Sequence, residues 1–133
     1  MSTITNTRKD AFLRVVLKID GVGTGANGAA YLLAAGLIGP LLGLPAGVLT
    51  PVGAFLLAVG IAVWFVGTRA TINPKAVWSV ALVNLVWSVD SLAVAFSGWF
   101  PLTDWGVFYV VFQAVVVGAL AVLQIIGLRK ITR

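Results

Sequence analysis

Four long apolar stretches, parted by short connections, constrain this chain more than any other feature. They run over residues 12–37, 50–68, 74–96 and 103–128. The hydrocarbon core of a bilayer takes about 20 such residues in an α-helix. A helix also satisfies its backbone polar groups within one segment, which lipid demands. The expected fold is therefore all-α, a polytopic membrane four-helix bundle forming a single transmembrane domain over residues 1–133. Composition agrees, because 60% of the residues are apolar and only 10% charged. A soluble domain carries about a quarter charged residues, and so little polar surface would not cover one.

The basic residues orient the bundle. Arg8, Lys9, Arg14 and Lys18 lead into the first stretch, Arg69 and Lys75 flank the turn after the second, and Arg129, Lys130 and Arg133 follow the fourth. The segment 38–49 is uncharged, and 97–103 has no Lys or Arg. Positive residues near spans stay on the cytoplasmic side. Both termini and the turn at 69–75 are thus expected in the cytoplasm. The net charge of +5 reads as this topological signal. Without interleaved stacking aromatics it does not point to nucleic acid.

Local signals refine the picture. Thr50-Pro51 and Asn73-Pro74 each pair an N-cap candidate with Pro at the first helical position. Thr103 or Asp104 is expected to cap the fourth helix, and Trp99, Phe100, Trp105 and Tyr109 to anchor the outer interface. Arg14 and Lys18 are placed to snorkel. Asp20 and several Gly interrupt what would be the apolar core of a signal peptide, so the first segment reads as a retained helix. Gly53, Gly60 and Gly67, seven apart, make a smooth seam for close helix approach, and Gly21 and Gly25 have the spacing of a dimerisation motif. Gly67-Thr68-Arg69 and Gly127-Leu128-Arg129 each follow a Val-Gly pair, Val59-Gly60 and Val117-Gly118, a faint repeat that would suit two tandem hairpins.

Polar residues within spans normally face the bundle interior. Asp20, Thr24, Asn27 and Tyr31 make one stripe on the first helix, and Asn84, Ser88 and Ser91 another on the third. Gln113, Val117, Leu120 and Gln124 share a face of the fourth. At about 1.5 Å per residue, Asp20, Asn84 and Gln124 fall nearer the basic end. Asn27, Asp90 and Gln113 fall deeper, so two polar layers are expected. Two roles remain open for them: a ligand or proton site made of Asp20, Asn27, Asn84, Asp90, Gln113 and Gln124, or interhelical hydrogen bonding that fixes register. Asp20 reads either as a site residue or as a carboxylate solvated or paired with a basic neighbour. Asp90 lies about 120° around the helix from Asn84, towards a subunit interface or outward. Trp64, Trp78 and Trp87 line a lipophilic pocket or simply pack.

The chain has no His and no Cys, and its acidic residues are Asp10, Asp20, Asp90 and Asp104. The usual general base, thiolate chemistry and the common zinc and haem ligands are missing. No phosphate loop, dinucleotide fingerprint or nucleophile elbow is present. The expectation is no enzyme, no metal and no cofactor.

Leu13-Arg14, Lys18-Ile19-Asp20-Gly21 and Pro40-Leu41-Leu42-Gly43-Leu44-Pro45 resemble the first hairpin of a group of small bacterial integral membrane proteins, generally left without an assigned activity. Ala81-Leu82-Val83-Asn84-Leu85-Val86-Trp87 and the end from Leu123-Gln124 to Gly127-Leu128-Arg129-Lys130 extend the resemblance over nearly the whole chain. It implies a four-helix bundle, multi-pass in the inner cell membrane, and carries over no site residue. The general plan is also similar to that of DoxX-type proteins. Small multidrug transporters share four spans and an acidic residue in the first, but not the charge bias or the loops. The function expected is a non-enzymatic accessory or scaffold subunit of a membrane complex, whose partners are the bilayer and a membrane protein or further copies of itself. The alternative is a small oligomeric transporter or binder of a small or lipophilic ligand.

Overall fold

Apolar residues spaced without Pro or Gly pairs favour helix, and the computed structural model has four: α1 (Ser2–Leu42), α2 (Ala46–Thr68), α3 (Pro74–Ser97) and α4 (Asp104–Thr132). It describes residues 2–132, with side chains over 10–131, so the side chains of Arg8 and Lys9, and Arg133, lie outside the described residues. All four helices are long and apolar enough to cross a membrane. Large apolar side chains cover the outside of the bundle as well as filling its interior. Leu33 and Leu37 are more than 80% exposed, while Asp20, Asn84 and Gln124 are buried. Such an arrangement is stable where lipid meets the outer surface, and the chain is a multi-pass membrane protein.

Two helix ends differ from expectation. α1 and α2 extend through much of the segment taken as a loop, leaving only 43–45 between them. Thr50-Pro51 does not start α2: Pro45 is its N-cap residue, and Pro51 lies inside the helix. Pro40 likewise lies inside α1, beyond a break at Ala34 (φ −126°, ψ 27°). Each proline falls about six residues into a helical segment, where it forfeits one backbone hydrogen bond, and surrounding apolar residues favour continuing the helix. Gly43, in the left-handed region at φ 81°, ends α1, its N–H and that of Leu44 both bonding to Gly39 O.

Other local signals hold. Asn73 Oδ1 accepts from the N–H groups of Lys75 (3.0 Å) and Ala76 (3.4 Å), with Pro74 at the first helical position. Thr103, rather than Asp104, caps α4 through Gly106 N (3.0 Å). Its hydroxyl also donates to Leu41 O, tying the α3–α4 loop to the end of α1.

α1 packs on α2 and on α4, α3 packs on α4, and α2 and α3 scarcely touch. The two hairpins are present, but they are not related as a repeat would require, since an equivalent of the α1–α4 contact is missing between α2 and α3. Glycines make the α1–α2 contact. A methyl group on Gly53 would lie 2.6 Å from Leu32 N, and one on Gly60 would fall inside the backbone of Gly25. The Gly21 and Gly25 pair faces α2 of the same chain, not a second copy: Gly21 is buried there, 2.9 Å from Trp64 N by the same measure.

Arg14 reaches the end of α2. Its guanidinium donates to the carbonyls of Gly67 (3.1 Å), Arg69 (2.5 Å) and Ala70 (3.0 Å), and it pairs with Asp10. It therefore caps the C-terminus of α2, where unbonded carbonyls carry partial negative charge. Beside it, Leu13, Leu17, Val63, Val77 and Leu128 seal the basic end of the bundle.

Candidate functional site

The polar stripes of α1, α3 and α4 meet in the interior at two levels. At the first, Asp20 Oδ2 accepts from Asn84 Nδ2 and from Gln124 Nε2, each at 2.7 Å. Asn84 Nδ2 also donates to Gln124 Oε1 (3.1 Å), and Thr24 Oγ1 donates to Asp20 Oδ1 (2.9 Å). Asp20 is 1% exposed and Gln124 fully buried. The expectation of a solvated or ion-paired Asp20 is thus replaced. Among the described residues no Lys or Arg forms an ion pair with it, and three donors from α1, α3 and α4 meet its oxygens instead. This satisfies a carboxylate where water is excluded.

The second level joins the same helices with neutral groups. Tyr109 donates its hydroxyl to Asn27 Oδ1, and the Tyr31 ring lies against that of Tyr109, centroids 6.3 Å apart. Trp87 Nε1 donates to Gln113 Oε1 and Gln113 Nε2 to Ser91 Oγ, both at 2.8 Å. Ser88 Oγ donates to Ala114 O (2.7 Å). Sequence reasoning gave Tyr109 to the interfacial belt, and it turns inward instead. The signal for that lay in its spacing, four residues before Gln113 and so on the same face. Trp64 and Trp78 are partly exposed on the lipid side and do not join Trp87 in one pocket.

Between the two levels is a cavity of about 430 Å³ reached by all four helices. Its walls are largely apolar, with Leu56 and Val59 from α2 and Val117 and Leu120 from α4. Asp20 and Asn84 stand on its boundary, as do Asn27 and Gln113. A smaller cavity of about 190 Å³ lies between α2 and α3 towards the end opposite the basic residues. Trp87 and Gln113 line both, so their hydrogen bond stands where the two adjoin.

Of the six candidate residues, the structure brings Asp20, Asn84 and Gln124 into direct contact, and sets Asn27 and Gln113 across the central cavity from them. Asp90 is apart from both levels: it is exposed, and it lines the smaller cavity. Among the described residues no group of three or more His, Cys, Asp or Glu side chains is placed to hold a metal.

Fold and interior together define the class, a multi-pass all-α membrane bundle with a hydrogen-bonded polar centre and an apolar cavity beside it. Comparison with family models, curated proteins and solved structures finds no match to this chain.

Proposed function

We propose that this chain is a non-enzymatic membrane protein that binds a small lipophilic molecule within the bilayer. The observation that carries the reading is the central cavity: its volume is in the range of small-molecule sites, its walls are apolar, and a few polar groups stand at fixed places on its edge. The amides and carboxylate of the first level are engaged with one another, which favours a recognising surface over a reacting one. The described basic residues gather at one end, which supports a topology with both termini in the cytoplasm. We take the inner cell membrane as its site on the resemblance read from the sequence alone.

The test is native mass spectrometry of the protein released gently from its own membrane, compared with Leu120→Trp, which fills the cavity, and Leu33→Trp, on the lipid face. A stoichiometric small molecule retained by the wild type and by Leu33→Trp, and lost from Leu120→Trp, is the expected result. Its absence from all three sinks the proposal. The second reading, an accessory subunit of a larger complex, is favoured by the separation of α2 and α3, which leaves their facing apolar surfaces open. A fixed heteromeric mass carrying no small molecule would support it instead.

A further inference from the structure

Asp90 is the polar residue that neither level absorbs. It stands seven residues before Ser97, the last residue of α3, and so about 10 Å inside that helix end. A carboxylate at such depth needs water or an opposite charge. Among the described residues Asp90 makes no hydrogen bond and no ion pair, and it is exposed. Among the described residues no Lys or Arg lies near it: Arg14, Lys18, Arg69, Arg129 and Lys130 stand at the other end of the bundle, and Lys75, on the same helix, is about 22 Å away along the axis. At Asp90's own end the remaining charged side chain is another carboxylate, Asp104.

The smaller cavity that Asp90 lines is apolar for the most part, with Leu and Val side chains from α2, α3 and α4, and it includes three aromatic residues, Tyr31, Trp87 and Phe100. Aromatic faces attract cations, most strongly when these are poorly hydrated. The cavity also opens where α2 and α3 scarcely touch, so a molecule dissolved in the bilayer reaches it sideways. Through the Trp87–Gln113 boundary it adjoins the larger apolar cavity.

We infer that the smaller cavity is a headgroup subsite for an organic cation, a quaternary or protonated amine with apolar substituents. Asp90 is the counter-ion, and Tyr31, Trp87 and Phe100 form the aromatic wall. The apolar part of the ligand extends past Trp87 into the central cavity, and this last feature rests on the binding function proposed above. The chemistry explains what the chain alone does not: an unpaired carboxylate kept at membrane depth, lining one cavity with three aromatic residues, at an end of the bundle where the described residues include no cation.

Benzyltrimethylammonium and its uncharged carbon analogue neopentylbenzene separate charge from shape. Binding of each to the full-length protein in a neutral maltoside detergent is measured by quenching of tryptophan fluorescence, with helicity checked by circular dichroism. The wild type is expected to bind the cation about tenfold more tightly than the neutral analogue. Asp90→Asn removes that preference and leaves neutral binding unchanged, while Asp104→Asn, outside the cavity, preserves it. Equal cation binding by wild type and Asp90→Asn overturns the inference, and so does failure of the wild type to bind the cation. The two proposals separate through Leu120→Trp. Neutral binding that this variant abolishes, with no cation preference in the wild type, leaves the central cavity standing and removes the cation subsite. A cation preference that needs Asp90 but survives Leu120→Trp leaves the subsite standing and removes the central cavity as the place of binding.

Discussion

The two hairpins solve the same problem with opposite means. Helix association in lipid lacks the hydrophobic drive available in water, and relies on close packing or on interhelical hydrogen bonds. The α1–α2 hairpin uses packing, its glycines letting two backbones approach until no added carbon fits. The α3–α4 hairpin uses polar side chains: Asn84 reaches Gln124, Ser88 reaches Ala114, and Gln113 bridges Trp87 and Ser91. The central and the smaller cavity are lined by polar side chains of the α3–α4 hairpin together with apolar residues of α2, and they lie on the side where α2 and α3 scarcely touch.

Breaking the glycine seam should have the largest effect. Gly60→Ala puts a methyl group into the backbone of Gly25, and the hairpin must open; a loss of about 3 kcal/mol is expected, read from the unfolding midpoint in mixed detergent. Asn84→Leu comes next. It removes both donors that Asn84 gives to Asp20 and Gln124, and about 2 kcal/mol should be lost because the partners stay buried. Trp87→Phe keeps a ring but deletes the hydrogen bond to Gln113, and about 1 kcal/mol is the expected cost. The smallest effect sharpens the contrast within α1 itself. Gly23, two residues from Gly21, has open space where a methyl group would go, so Gly23→Ala should stabilise the helix by up to about 1 kcal/mol. If Gly23→Ala proved as harmful as Gly60→Ala, packing would not be what distinguishes the seam.

Much of this was legible before the structure. The four spans follow from apolar run length, and the cap at Asn73 from chemistry confined to four neighbouring residues. The first polar level was legible as three stripes at a common depth, because helical period and rise are regular. What the period cannot say is which helix each stripe meets. That depends on the order of helices around the bundle, and the open side between α2 and α3 leaves no trace in either sequence. Thr50-Pro51 was misread because a proline in the second turn of an apolar helix resembles one that begins it. Tyr109 was misread because its proximity to Trp99 and Trp105 suggested a common role that its own helical face contradicts. The carbonyl partners of Arg14 were not legible because they lie more than fifty residues away.

That last distance bears on how the protein comes to be. Arg14 enters the membrane interface with the first helix, long before ribosome and insertion machinery have delivered the carbonyls of Gly67, Arg69 and Ala70 that it will hold. Until then its guanidinium has Asp10 beside it and whatever water or headgroup is near. The clamp is thus a property of the completed hairpin and not of its first helix, and it closes only when α2 has been threaded back to the side it started from. A second helix that failed to return would leave Arg14 without its carbonyls, so the same residue that marks which way the chain enters also rewards the chain for having come back.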